Sequence, residues 1–474
     1  MTHSASSSGD GPPATSVAGI GARLKQLLTG RVAIAVGWTA FAAFVAQVIR
    51  FAGTLIMTRL LAPEMFGIMA IAMSVHIILA NLMDVGLRAA IIQSPRGEEP
   101  DFLNTTWTLQ IIRGFIIATC VILIALALPS LVDQGWIGAD TAWASPLLPL
   151  VLAASCLATI INGFESTNTI TAERNLSLKR FTTIKLAAQL ISFFFMVLIG
   201  ILTRSIWALV ISSIISTLIV TVLSHTMLPG IRNKFAWNKE ARGELARYGS
   251  WIMLSSAANV LSTQADRLFL GGWVDGATLG LYSIALNLAV LVEFLAATCI
   301  ASVFMPALSE AFRDSFDTFR RKYFQLRLLL DGALLITAGG LFATGPLIVE
   351  ILYDDRYLAA GGMLQALTFI LVFARYHLTN AAYMACGKPE VMAVVSIIKC
   401  ISLVVLMFTL FESFGLYGAI YAVSLHSLFS VLYLAYANHK NNLNDFRFEA
   451  ATLLAWPLGY VLGLIFIQFV ALLR

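Results

Sequence analysis

The sequence predicts an all-helical, polytopic membrane protein: two six-helix lobes related by a parallel repeat, followed by an additional C-terminal membrane helix. Three observations predict it. Apolar stretches long enough to cross ~30 Å of hydrocarbon recur from Ala33 to Leu473. Lys and Arg gather in every second connecting segment. The second half of the chain repeats the first at a spacing of roughly 213 residues.

Composition agrees, since 59% of the residues are hydrophobic, 12% are charged and the mean hydropathy is +0.84. A water-facing surface could not be built from this. At 474 residues the chain exceeds one helical bundle and leaves almost nothing for a soluble domain, so function must reside within the spans.

Residues 1–30 form an entry segment whose first part, to about Gly21, is rich in Ser, Gly and Pro and reads as a disordered cytoplasmic tail. It lacks the apolar core and cleavage site of a signal peptide, so the first apolar run stays as a membrane helix. The expected spans are 33–58, 66–91, 104–129, 146–164, 181–202, 206–227, 248–273, 277–303, 325–351, 358–385, 391–411, 415–437 and 450–472. They group into an N-terminal lobe (31–230), a cytoplasmic linker (231–247), a C-terminal lobe (248–440) and the additional helix (441–474). That last run makes the number of crossings odd, and Trp456-Pro457 is placed to kink it.

Orientation follows from the loops. One side of the membrane receives Arg23, Lys25, Arg31, Arg96, Arg174, Lys179, Arg180, Arg232, Lys234, Lys239, Arg242 and Arg247, then Arg313, Arg320, Arg321, Lys322, Lys388, Lys440 and Arg447. The other receives Arg59, Arg204, Arg356 and Arg474, alongside Asp133, Asp140, Asp275, Asp354 and Asp355. By the positive-inside rule the amino terminus is cytoplasmic.

The repeat brings Gly67 onto Gly280, Ala72 onto Ala285 and the turn at Glu64-Met65-Phe66-Gly67 onto Ala277-Thr278-Leu279-Gly280. With one residue of slippage Arg113 meets Arg327 and Lys185 meets Lys399. With a small deletion Ser205-Ile206-Trp207-Ala208 meets Gly415-Leu416-Tyr417-Gly418. Six helices per unit is an even number, so both copies enter from the same side. Two bundles related by an axis along the membrane normal form a transporter architecture, with the substrate path between them.

An ionised side chain in a membrane helix costs roughly 2.5–3.5 kcal/mol on insertion scales, and this chain carries many. Asp84 with Arg88, and Arg327 with Asp331, are neighbours at i,i+4 and read as ion pairs. Arg50, Arg113, Lys185, Arg375 and Lys399 have no acidic residue three or four positions away; with Arg267 they are the candidate substrate-binding cations. Excess cation inside the fold favours an anionic ligand, because guanidinium grips two phosphate oxygens in a fork and ammonium supplies a movable point charge. The alternative for Lys185, near its helix start, is snorkelling to the headgroups. Asp84, Asp266 and Glu293 are the acidic candidates for ion coupling; Asp266 and Glu293 serve either as counter-ions or as carriers of a proton or Na⁺. His76 and His426 read as packing or hydrogen-bonding residues. The five cysteines, Cys120, Cys156, Cys299, Cys386 and Cys400, lie in or at the ends of apolar runs without paired spacing and read as packing residues, with neither disulfide nor metal expected.

Absent motifs narrow the function. There is no phosphate loop for ATP hydrolysis, no H-E-x-x-H and no G-x-S-x-G elbow, and no cofactor is called for. A membrane glycan polymerase would need a sizeable external loop, whereas the largest outside segment, Ser130 to Ser145, holds few catalytic groups. A cation-coupled exporter of small drugs would carry mainly acidic residues in its cavity. A carrier of an anion fits better than either.

The run from Thr58 to Gly67 (TRLLAPEMFG), then Asp84 to Gln93 (DVGLRAAIIQ), Asp266 to Gly271 (DRLFLG) and Gly280-Leu281-Tyr282 resembles the Wzx-type polysaccharide flippases of the multidrug/oligosaccharidyl-lipid/polysaccharide exporter superfamily. The resemblance covers about Arg31 to His439. It implies a V-shaped pair of six-helix lobes around a cationic cavity in the bacterial inner membrane. Its implied cargo is an undecaprenyl-diphosphate-linked oligosaccharide for exopolysaccharide, capsule or O-antigen. Its implied partners are that lipid, the surrounding membrane lipids, a polysaccharide polymerase and a chain-length regulator, and no nucleic acid. The extra helix after His439 departs from a twelve-span pattern.

Overall fold

The computed structural model describes residues 31–84, 86–175, 177–238, 240 and 259–473. The expected tail at 1–30, the later part of the linker and the first part of span 248–273 lie outside the described residues. Among those described, every regular element is a helix.

The first lobe consists of α1 (Arg31–Leu60), α2 (Pro63–Leu82), the short α3 (Leu87–Gln93), α4 (Pro100–Asp133), α5 (Leu148–Gly163), α6 (Asn168–Arg174), α7 (Leu178–Thr203) and α8 (Trp207–Thr226). The second contains α9 (259–273), α10 (Gly276–Cys299), α11 (Met305–Asp314), α12 (Phe316–Leu352), the broken series α13 (Ala360–Leu367), α14 (Phe369–Ala374) and α15 (His377–Ala385), then α16 (Pro389–Leu425) and α17 (Ser427–Lys440). The chain closes with α18 (Phe446–Leu453) and α19 (Ala455–Leu473). Among the described residues, nine helical runs are long and apolar enough to cross a membrane, or ten if the pair α5 and α6, bent by 60°, counts as one.

Local chemistry sets the starts and reversals. Proline opens α2, α4 and α16, where its missing N–H is harmless. Asp275 caps α10 by accepting from the Ala277 and Thr278 amides, and Ser315 caps α12. The helical hairpins reverse at left-handed residues, Arg204 (φ 44°) between α7 and α8 and Gly415 (φ 61°) within α16. These are the two turns that the repeat aligns. The long run Pro389–Lys440 is therefore two crossings, in agreement with spans 391–411 and 415–437.

Two spans differ from expectation. Span 66–91 stops at Leu82, and Gly86 at φ 62° precedes the separate α3. Asp84 thus lies in a break, where its carboxylate accepts from the Gly86 amide, and the i,i+4 geometry needed to pair it with Arg88 does not exist. Span 358–385 is interrupted at Thr368 and again at Arg375-Tyr376.

The arginine-rich connections converge on one end of the molecule. Arg174 Nη1 donates to the carbonyls of Ile91 and Ser94 at 2.5 and 2.6 Å, and Asn168 donates to the Ile231 carbonyl. Residues 234–238 lie along α4, with the Lys234 amide donating to Asn104 and the Ala236 amide to Thr108.

At the arginine-poor end the lobes meet. Arg356 donates to the carbonyls of Thr58 and Arg59, Tyr357 to that of Leu61, and Trp143 to that of Leu268. Four residues make the closest approach. A Cβ added to Gly67 would stand 2.1 Å from the Gly276 carbonyl oxygen, and one on Gly280 would stand 1.8 Å from that of Pro63. The repeat shift carries Pro63 to Gly276 and Gly67 to Gly280, so each contact is the image of the other, as a two-fold axis requires. Further in, Ser74 Oγ donates to Gln264 Oε1, the deepest hydrogen bond between lobes among the described residues.

The final helix runs beside α12 in the same direction. Phe324 meets Phe448, Phe342 meets Trp456 and Tyr460, and Gly463 packs on Ala343. Glycine permits the approach: a Cβ on Gly339 would lie 2.1 Å from the Trp456 oxygen, and one on Gly459 would lie 2.1 Å from that of Ile336. With 19 residues α19 is ~28 Å long, enough to cross with α12.

Gly67→Leu should drive the lobes apart and lower stability by about 1–3 kcal/mol in thermal unfolding in detergent. Gly37→Leu, with nothing within 4 Å of an added Cβ, is the control and should stay within ~0.5 kcal/mol. The arginine-poor turn should also confer a pH dependence. The hydrogen bond from Arg356 holds the Asp354 carboxyl below its ordinary value of 3.8. Its ionised form is the stabilising one, so the contribution is complete above that value and is lost as pH falls through the lower folded one. The difference in thermal midpoint between wild type and Asp354→Asn should be constant near neutrality and shrink as pH drops below 3.8.

Candidate substrate site

Arg50 is an exposed residue of α1. It projects from α1 into a cavity of about 430 Å³ bounded by α7, α8 and the start of α2. No carboxylate lies within ion-pairing distance of it among the described residues. The walls carry Gln189, Ser192, Ser212, Ser213 and Thr217, with Met57, Phe66 and Phe193 as apolar floor. Most of these hydroxyls spend their proton on their own helix: Ser192 donates to Gln189, Ser212 to Leu209, Ser213 to Val210 and Thr217 to Ser213. Their oxygens remain free as acceptors. The cavity therefore offers one fixed positive charge and a band of acceptors for hydroxyl donors.

The other first-lobe candidates are distributed differently. Arg113 Nη2 donates to the Ala80 carbonyl at 2.6 Å, and its Nη1 lies 3.6 Å from Asp84. This ties the α2 break to α4, and it is the pairing that Asp84 makes in place of Arg88. Arg88 pairs instead with Glu173 at 2.6 Å. Lys185 is exposed, stands 4.1 Å from the Phe181 ring centre and lies near enough to Glu165 for their charges to interact. His76 is engaged with Thr159.

In the second lobe Arg267 donates to Gln264 at 2.6 Å, the same amide oxygen that accepts from Ser74, so this cation lies at the seam of the lobes. Asp266 is buried and accepts from the Tyr282 hydroxyl at 2.5 Å. Glu293 is hydrogen-bonded to His377 at 3.0 Å, and both side chains are partly exposed. Lys399 and His426 are near enough to act on the Glu293 charge. Two acid-centred groups thus sit on facing helices of this lobe.

Arg375 departs from the expectation of a cavity-lining cation. Only 4% exposed, it lies 3.4 Å from Asp331 and 3.2 Å from Glu449, and donates to Thr452 and Tyr376. Arg327 joins the cluster at 3.3 Å from Asp331, as its i,i+4 spacing predicts, and 2.5 Å from Glu449. In this conformation Arg375 is neutralised by acids from α12 and α18, which sequence spacing does not bring near it.

A family model described as polysaccharide biosynthesis protein matches residues 56–361. The chain belongs to this family. Among similar proteins, an uncharacterized membrane protein in the cps region of Klebsiella pneumoniae is 22% identical over 70% of this chain and 66% of its own length. The lipopolysaccharide biosynthesis protein WzxC of Escherichia coli (strain K12) is 20% identical over 70% of this chain and 65% of its own. The match thus spans just under two thirds of these relatives. The lipid II flippase MurJ in an inward closed conformation superposes with a TM-score of 0.61 at 16% identity, covering 92% of this chain and 99% of that one. An inward-facing multidrug resistance MATE transporter gives 0.60 at 13% identity, over 84% and 95%. These two superpositions establish the fold that the family member adopts: a polytopic, two-lobed helical membrane fold.

Sequence reasoning missed Glu165, Glu173, His377, Tyr282 and Glu449. His377 carried a signal, an ionisable residue within an apolar stretch, whereas Glu449 stands in the polar run before the last span and Tyr282 entered only as part of the Gly280-Leu281-Tyr282 pattern. If the division between paired and unpaired cations is correct, Asp331→Asn should destabilise the protein by about 3–5 kcal/mol, because it leaves two buried guanidiniums short of a counter-charge. Arg50→Gln should leave the thermal midpoint nearly unchanged. Thermal unfolding of the purified variants measures both.

Proposed function

We propose that this chain is a flippase that moves an undecaprenyl-diphosphate-linked oligosaccharide from the arginine-rich, cytoplasmic side of the bacterial inner membrane to the other. The observation that carries the reading is the Arg50 cavity of the first lobe, where a charge without a carboxylate partner among the described residues borders a wall of acceptor oxygens. Guanidinium binds diphosphate oxygens in a fork, and hydroxyl oxygens receive the O–H groups of a sugar. Family membership, the names carried by the relatives and the positive-inside arrangement support the same conclusion.

The cavity lies toward the low end of the ~300–1,000 Å³ usual for ligand pockets. It suits a diphosphate with its first sugar rather than a whole repeat unit, so the remaining sugars travel between the lobes while the lipid tail stays in the bilayer. Lys185 and Arg267, also without a carboxylate within ion-pairing distance among the described residues, extend the positive path. The Glu293–His377 pair, with Lys399 beside it, is the site for ion coupling, since a proton taken there alters charge in the lobe that must rock. The chain acts as a carrier, and no step of the transfer makes or breaks a covalent bond. A multidrug exporter of small cations is disfavoured because the wall of the Arg50 cavity contains no acidic residue.

In a strain lacking the gene, Arg50→Gln should reduce polymer export by roughly tenfold, the value of one charge-assisted contact. Arg50→Lys should restore part of it. Export is read as surface polysaccharide at equal membrane levels of protein, with lipid-linked repeat units accumulating inside. Unchanged export in Arg50→Gln with Lys185→Gln would overturn the cationic-cavity reading.

A further inference from the structure

The Glu449 carboxylate is divided between two arginines. Its Oε1 lies 2.5 Å from Arg327 Nη2 and its Oε2 lies 3.2 Å from Arg375 Nη2, while the Tyr376 hydroxyl donates to Oε2 at 3.1 Å. The Arg327 guanidinium is bracketed by the rings of Tyr376, at 4.9 Å, and of Tyr323 and Phe448, each at 5.9 Å. Two guanidiniums and a phenol converging on one anionic group form a donor set suited to phosphate oxygens. Asp331, wholly buried, holds both arginines from the interior side.

Glu449 differs from the other members of the cluster. Its side chain is 20% exposed while those of Arg327, Arg375 and Asp331 are 5% or less. It comes from the first turn of the eight-residue α18, which continues through Leu454, itself in helical conformation (φ −63°, ψ −16°), into α19. Donors and acceptors of the cluster are imperfectly matched, and Asp331 Oδ1 is buried without a hydrogen-bond partner among the described residues. Arg375 Nε is buried without a hydrogen-bond partner among the described residues, and Arg327 Nε and Nη2 face their carboxylates without hydrogen-bond geometry. Without Glu449, two positive charges face only Asp331, and a net positive site remains.

Depth identifies the ligand. Arg327 lies ~16 Å along α12 from its start at the arginine-rich end, and Glu449 lies in the first turn of the terminal run, so both are near the headgroup layer of that leaflet. We propose that Arg327, Arg375 and Tyr376 form a binding site for the phosphate or diphosphate of a membrane lipid, which Glu449 occupies as a built-in substitute. Withdrawal of the partly exposed Glu449 side chain exchanges the carboxylate for the lipid phosphate. Arg375 then meets a lipid phosphate, but only in the state in which Glu449 has let go. The site is separate from the Arg50 cavity and does not require it.

The test uses the full-length protein in phosphatidylcholine nanodiscs, with inorganic pyrophosphate as probe. Glu449→Gln should bind pyrophosphate roughly tenfold more tightly than wild type. It should have a lowered thermal midpoint that pyrophosphate restores, and Tyr376→Phe in that background should weaken the restoration. A carboxylate serving only to pin the helix predicts the lowered midpoint without the restoration. Should Glu449→Gln not fold, Glu449→Asp withdraws the charge by one methylene and should show a smaller gain of the same sign. Nanodiscs doped with phosphatidylglycerol or with a polyprenyl diphosphate separate the sources: stabilisation of Glu449→Gln by both assigns the site to bulk anionic lipid, and by the second alone to the carrier lipid. Pyrophosphate affinity unchanged by either Glu449 variant would overturn the proposal. Arg50→Gln should leave this binding intact while impairing export, so the two readings fail independently.

Discussion

A charge placed in hydrocarbon must be paired or wetted, and this requirement organises the interior of the protein. Insertion costs roughly 2.5–3.5 kcal/mol per ionised group at mid-helix, so the many charged residues within these spans would oppose folding if left to lipid. The two lobes meet the requirement differently. In the first, Arg50 faces a cavity walled with hydroxyls. In the second, Arg327 and Arg375 are closed off by Asp331 and Glu449. Repeat-related positions thus have opposite fates. Arg113 makes one long ion pair with Asp84 and keeps a carbonyl partner, whereas its counterpart Arg327 is sealed between two acids.

Symmetry of the backbone survives this divergence. The reciprocal approach of Gly67 to Gly276 and of Gly280 to Pro63 places the pseudo-two-fold axis at the arginine-poor end, where only glycine lets two helices come so near. The hydrogen bonds of Arg356 and Tyr357 to carbonyls ending α1 reinforce the same closure. The Arg327–Arg375 cluster and Arg50 lie away from this joint. The terminal helix breaks the symmetry, since α18 and α19 attach to α12 and bring Glu449 to it.

The polytopic helical character, the internal repeat and the hairpin turns were legible in the sequence because each depends on local or periodic properties. Hydrocarbon thickness fixes span length, and the repeat needs only matching of residues such as Gly67 with Gly280. Ion pairs were legible only where a continuous helix brings the partners together. Arg327 with Asp331 is such a case. Asp84 with Arg88 is not, because the break before Gly86 removes the helical register and turns Asp84 toward Arg113 on another helix.

The sequence by itself determined that this chain is a polytopic helical membrane protein of two repeated lobes, with more cation than anion near its spans. Only the tertiary structure decided which cations are free. Neutralisation of Arg375 by Asp331, 44 residues earlier, and by Glu449 on an appended helix depends on contacts between helices, which no spacing rule encodes. Hydropathy measures the cost of entering the bilayer. What compensates it, whether a carboxylate, a carbonyl or water in a cavity, is supplied across space.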